Sequence, residues 1–305
     1  MTQAILASFL ATFLWAITDF IDKFLVSRGR NTSNNIKSLL VFSTLIAGAI
    51  FAPISLVLAN FNVEVNLISF LSAIAASIIY ILATLCYYYA LNKNDASSIV
   101  SMFQLTPVFT YLFSFIFYGE TFTLRQIIGA SMIMMSSIAI GLSLKNRRKE
   151  GKYRALIMSI LAAILYGLNY SLMDTAIRNS NYDACYFWNQ IGFLGIGIVL
   201  IGIKSYRRAF KNAVRNNGKG YFILNSTNEL LNSAAGALVN YANTLIPIAF
   251  VNIISGFEGA ISFILGAIGV KILPRFFKEN LKKKTIIRKI ICIIVSIIGL
   301  ILFML

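Results

Sequence analysis

Residues 97–141 read SSIVSMFQLTPVFTYLFSFIFYGETFTLRQIIGASMIMMSSIAIG, two apolar runs parted by Gly119-Glu120. Each run has the roughly 20 residues that a helix needs to cross a hydrocarbon core about 30 Å thick. The Gly-Glu break falls where two such spans turn around in a headgroup region. A chain built from segments of this kind has few folds open to it besides a bundle of membrane-crossing helices.

Composition agrees. Of the residues, 58% are hydrophobic and 12% charged, about half the share of charge carried by a soluble domain. The mean hydropathy is +0.77. The first apolar run has no basic residues ahead of it and carries Asp19 and Asp22 where a cleavage site would need small residues, so it is expected to stay in place as a span rather than act as a signal peptide.

Ten spans are predicted: 3–25, 37–59, 66–90, 97–118, 124–144, 154–176, 185–203, 221–243, 247–270 and 286–305. The net charge of +16 resides mostly between them, which points to membrane topology and not to nucleic acid. With the N-terminus outside, the basic clusters at 145–154, 204–219 and 271–289 face the cytoplasm, and the opposite loops keep only Arg125 and Arg178. The positive-inside rule then predicts a multi-pass protein of the cytoplasmic membrane with both termini extracytoplasmic.

Cys86, Cys185 and Cys292 are scattered and give neither a metal spacing nor a disulfide framework. Histidine is absent, which removes the commonest general base, metal ligand and pH switch. No cofactor is implied.

The chain echoes itself. At a shift of 151, Ala4, Ser8, Leu10, Ala11 and Leu14 fall on Ala155, Ser159, Leu161, Ala162 and Leu165, and Trp15 falls on Tyr166. At 152, Tyr89-Ala90 falls on Tyr241-Ala242; at 159, Glu120 falls on Glu279 and Ser137 on Ser296. Five spans per copy is an odd number, so the second copy is inserted upside down. The expected fold is an all-α membrane protein of ten helices in two inverted five-helix repeats, 1–150 and 151–305, an organisation typical of secondary transporters.

Residues 96–141 also resemble the EamA type of the drug/metabolite transporter superfamily. The resemblance rests on Ala96-Ser97, Leu105-Thr106-Pro107-Val108, Gly119-Glu120, Gly129 and Gly141. In that family these are the fourth and fifth spans of a five-span unit, and two units make a carrier with a central cavity for small metabolites or drugs. The second unit departs from the pattern, with Gly259 in the place of Pro107 and Arg288 in that of Gly129.

Polar side chains inside spans are costly and usually face a cavity or a partner. Span eight carries Asn225, Asn228, Glu229, Asn232, Gly236, Asn240 and Asn243 at three- and four-residue steps, a stripe along one helix face. Such a stripe lines a wet path or hydrogen-bonds to a neighbouring helix. Span nine adds Asn252, Ser255, Glu258 and Ser262. Glu229 and Glu258 are candidates for coupling a proton or holding a cationic group; the alternative is a carboxyl satisfied by its Asn or Ser neighbours.

In the first half, Trp15, Thr18 and Asp19, Tyr80 and Thr84, and Gln104 and Thr106 combine aromatic faces with a carboxylate, a set that suits a cationic or ring-bearing solute. Tyr87 to Tyr89 read as an interfacial belt. Tyr166 and Asn169 are further cavity candidates. Asp174 with Arg178 reads as a boundary ion pair, Asp22 with Lys23 as an end pair, and Glu120 as structural.

The leading function is a secondary carrier exporting a small metabolite, such as an amino acid, or a drug by alternating access, with proton coupling. No phosphate-binding Gly-rich loop is present to power it by nucleotide hydrolysis. A channel or a lipid flippase or scramblase is the alternative. An intramembrane enzyme is disfavoured by the missing histidine, metal spacing and nucleophile–base motif. The expected partners are a small solute, the lipid bilayer and protons, with no nucleic acid, in a monomer or homodimer.

Overall fold

Apolar segments of this length satisfy their backbone polar groups internally, which makes each one a helix. The structure, a computed structural model, describes residues 2–27, 32–92, 94, 96–119, 121, 123–141, 149–246, 251, 254–272 and 283–304. Within them lie ten helices: α1 (Thr2–Ser27), α2 (Thr32–Leu58), α3 (Leu67–Leu91), α4 (Ala96–Tyr118), α5 (Leu124–Gly141), α6 (Lys149–Arg178), α7 (Tyr182–Gly202), α8 (Lys204–Leu245), α9 (Glu258–Ile272) and α10 (Lys283–Met304). Seven of them (α1, α2, α3, α4, α6, α7 and α10) are long and apolar enough to cross a membrane.

Two spans are interrupted. In α4, residues Ser101–Leu105 tighten to a 3-10 turn before the α-helix resumes at Thr106. Pro107 therefore sits in the first turn of the resumed helix, where a missing N–H costs nothing. In the second half, residues 254–255 are helical, 256–257 form a turn, and α9 starts at Glu258. The expected single span 247–270 is thus divided.

Helix α8 starts well before the predicted 221. Its first part ends at Gly218, whose backbone (φ 71°, ψ −172°) is not helical. Between Lys204 and that break, Tyr206, Phe210, Ala213 and Val214 pack on the core while Arg207, Arg208, Lys211 and Arg215 are exposed. A basic cluster assigned to a loop is therefore an amphipathic helix of the type that lies along a membrane surface.

The main helix packings are α3 on α6, α1 on α8, α2 on α7, α5 on α10, α2 on α8, α3 on α7, α4 on α6, α1 on α9 and α4 on α9. Helices in lipid associate through close packing of small residues. At the α5–α10 crossing the backbones touch: a Cβ on Gly129 would stand 2.5 Å from the Gly299 carbonyl oxygen. The largest buried cluster includes Phe42, Tyr88, Leu91 and Ile99, and large apolar side chains such as Leu58, Ile116, Met135 and Val199 face outward. An outer surface this apolar fits lipid and not water.

Candidate functional site

Helices α1, α2, α3, α4, α6, α8 and α9, with Leu300 of α10, line a cavity of about 160 Å³. Its lining has two unlike sides. Helices α1, α8 and α9, which pack on one another through α1, contribute Asp19, Asp22, Glu229 and Glu258. Helices α3, α4 and α6, which pack on one another through α6, contribute aromatic rings, hydroxyls and Gln104.

The carboxyls form two linked pairs. Asp19 accepts from the Tyr87 hydroxyl at 3.0 Å and from Ser262 Oγ at 3.2 Å, and Glu258 is in hydrogen-bond contact with it. Asp22 accepts from Asn228 Nδ2 at 2.7 Å, with the Tyr88 hydroxyl 3.5 Å away. Ser43 bridges that tyrosine, at 3.3 Å, to Glu229, to which it donates at 2.7 Å. Asp19, Asp22 and Glu229 are all buried.

On the other side, Tyr80 and Phe103 each meet Tyr166 edge to face, with centroids 5.5 and 5.4 Å apart. Thr84 and Tyr166 share a hydrogen bond of 3.2 Å, and Asn232 Nδ2 donates to the Tyr80 hydroxyl at 2.9 Å. The two interrupted spans cross at this level. Gln104 Nε2 donates to the Gly256 carbonyl at 2.9 Å, and a Cβ on Gly259 would stand 2.8 Å from Ser101 Oγ. Gly259 lets the breaks approach this closely. Discontinuous helices expose backbone groups to a cavity, and transporters place substrate and coupling-ion sites at such points.

Of the residues expected from the sequence, Trp15, Asp19, Tyr80, Thr84, Gln104, Tyr166, Asn228, Glu229, Asn232, Ser255 and Glu258 all line this cavity. Asn169 does not; it is buried, and its amide donates to the Ala76 carbonyl at 2.9 Å, joining α6 to α3. Asn252 lies outside the described residues. The α8 stripe divides: its middle faces the cavity, while Asn225 donates to its own helix at Tyr221 O, 2.7 Å. The Asp174–Arg178 pair forms at 2.7 Å.

Asp22, Tyr87, Tyr88 and Ser43 were not anticipated as lining residues. Asp22 turns into the cavity, and Lys23 donates to the Leu91 and Asn92 carbonyls at the end of α3. The signal was available: Thr18, Asp19 and Asp22 share a face at three- and four-residue steps from Trp15. Tyr87 and Tyr88 misread as an interfacial belt because they end a span; they are buried with their hydroxyls on the carboxyl pairs. Ser43 gave no signal among the many serines of the chain.

Apolar-faced helices thus surround a partly open cavity with two spans broken beside it. Residues 2–142 match the model of the EamA-like transporter family. The apolar helices and this match indicate a multi-pass membrane protein. An uncharacterised protein of Methanocaldococcus jannaschii is 35% identical over 71 residues, 23% of this chain and 52% of that one, so the match spans about half of that relative's length. A crystal structure of another protein superposes with a TM-score of 0.59 at 14% identity, covering 98% of this chain and 96% of that one, a likeness of fold.

Proposed function

We propose that the chain is a secondary carrier built from two inverted five-helix repeats, 1–150 and 151–305, which exports a small solute in exchange for protons through the cavity. The repeat reading is supported by the packing pattern. Renumbering each helix by five turns α3–α6 into α8–α1, α2–α8 into α7–α3, and α4–α6 into α9–α1; the pairs α2–α7, α5–α10 and α4–α9 map onto themselves. Positions offset by 152 also meet, Tyr80 with Asn232 and Gln104 with Gly256. Contacts between equivalent positions are what a two-fold axis through the cavity produces.

The observation that carries the coupling is the charge of the lining. Four carboxyls converge there, and no lysine or arginine is among the described lining residues. Buried carboxylates need a counter-charge, and with no lysine or arginine among the described lining residues a bound proton or a bound cation supplies it. A site that must hold one or the other exchanges them. Glu229 and Glu258 are the coupling residues in this reading, one in each carboxyl pair. Both termini are extracytoplasmic, and the basic first part of α8 lies on the cytoplasmic surface.

Counterflow in proteoliposomes tests the carrier reading. Trans-acceleration of labelled solute by unlabelled solute is expected; saturable flux without it would indicate a channel or scramblase instead.

A further inference from the structure

The lining has unused hydrogen-bonding capacity, two amide oxygens that accept and one hydroxyl. Gln104 Oε1, Asn228 Oδ1 and Thr106 Oγ1 have no hydrogen-bond partner among the described residues. All three side chains line the cavity and are more than nine-tenths buried, at 6%, 2% and 7% exposure. The two amides cannot turn round to offer donors without losing bonds they already make, Gln104 Nε2 to Gly256 and Asn228 Nδ2 to Asp22. Ser43 and Tyr87 already spend their hydroxyl protons on Glu229 and Asp19. What the described lining residues lack is positive charge. Buried acceptors left empty are costly, so a ligand that fills them is favoured over one that does not.

We propose that the cavity takes a small organic dication whose two charged ends carry N–H groups, the chemistry of a protonated α,ω-diamine or an amino-guanidine. This rests on the carrier reading above and names the solute class of that same site. The carboxyls stand as two pairs, Asp19 with Glu258 and Asp22 with Glu229, each pair able to face one cationic end. Their α1 members are three residues apart on one helix, which sets their Cβ atoms about 5–6 Å apart, a separation that a short methylene chain between two ammonium groups spans. The body of such a ligand lies against the Tyr80, Phe103 and Tyr166 rings, whose faces also attract cations.

This chemistry discriminates. A quaternary dication of the same length has the charge but no N–H, and leaves the Gln104 and Asn228 oxygens empty. A monoamine fills one carboxyl pair. A neutral diol brings no charge, and a dicarboxylate is repelled.

The test uses the purified full-length protein in lipid nanodiscs, with thermal unfolding as the readout, since a ligand of the folded state raises apparent stability. The probes are 1,4-diaminobutane, butylamine, the bis-trimethylammonium analogue, 1,4-butanediol and succinate. Expected is an apparent affinity for 1,4-diaminobutane at least tenfold above each of the others. Asp22→Asn and Glu229→Gln should each weaken it tenfold or more, with Asp174→Asn binding like the parent. Unliganded melting temperatures check that each variant folds, and the five-probe ranking on the parent protein stands without any variant.

No shift with the diamine, or a quaternary, neutral or anionic probe binding as well as the diamine, overturns the proposal. Counterflow of the same probes and of neutral amino acids separates the two readings. Exchange of an amino acid without diamine binding overturns the dication site and leaves the carrier. Diamine binding without exchange of any solute upholds the site and overturns the carrier.

Discussion

In the proposed inverted repeat, helices α1 and α6 are counterparts, and they bring opposite chemistry to one cavity. At the shift of 151 that aligns them, Asp19 falls on Tyr170 and Asp22 on Met173. The same holds for α3 and α8, where a shift of 152 sets Ser77 against Glu229. All four carboxyls come from α1, α8 and α9, and none from α3, α4 or α6. Packing requires only that equivalent helices meet in equivalent ways, whereas the solute meets individual side chains. In the proposed repeat the packing is close to symmetric while the carboxyls lie on one side.

The largest expected effect comes from neutralising the acidic side. Glu229→Gln should lower proton-driven transport at least tenfold, because the carboxyl that Ser43 holds at 2.7 Å is then unable to take up or release a proton. Tyr170→Phe on the opposite side should leave the rate within about twofold, losing at most one neutral hydrogen bond. Initial rates in proteoliposomes compare the two, and equal losses would remove the distinction between the sides.

Moving a carboxyl across the axis is the next test. Ser77 donates to the Ile74 carbonyl at 2.7 Å and abuts Gly192, so its site points into packing and not into the cavity. Ser77→Glu should destabilise by about 3–5 kcal/mol, the cost of an uncompensated buried charge. A stable and active Ser77→Glu variant would mean that the two helices are interchangeable.

A smaller effect is expected away from the cavity. Gly129→Leu would press on the Gly299 and Phe303 backbones and should cost about 1–3 kcal/mol from overpacking, read as a lower melting temperature with ligand affinity unchanged. Asp174→Asn should do least. Its partner Arg178 is half-exposed at 51%, and exposed ion pairs contribute about 0–1 kcal/mol.

These contrasts follow what could be read from the chain itself. Apolar run length fixes helices closely enough that most boundaries fall within a few residues of the structure, since a span must match the bilayer. Polar residues deep in spans, such as Glu229 and Asn228, stand out because their burial is costly. Near span ends that contrast fades, and Tyr88 and Asp22 were therefore misplaced. The break before Glu258 was hidden for another reason: no proline marks it, and Gly256 and Gly259 resemble the small residues used in ordinary helix packing. Asn169 shows the converse, a buried polar group that joins two helices.

The central claim, that the acidic side exchanges protons for solute, is tested most directly by pH-gradient-driven accumulation in proteoliposomes. The measurement compares the parent with Glu258→Gln, using labelled 1,4-diaminobutane or, where counterflow identifies another solute, that solute. The parent should accumulate solute against its gradient when the pH gradient is imposed. Glu258→Gln should lose that accumulation at least tenfold while retaining counterflow at saturating solute, where its weaker binding no longer limits exchange, because the solute still crosses but no proton is returned. Accumulation by Glu258→Gln equal to that of the parent would contradict the account.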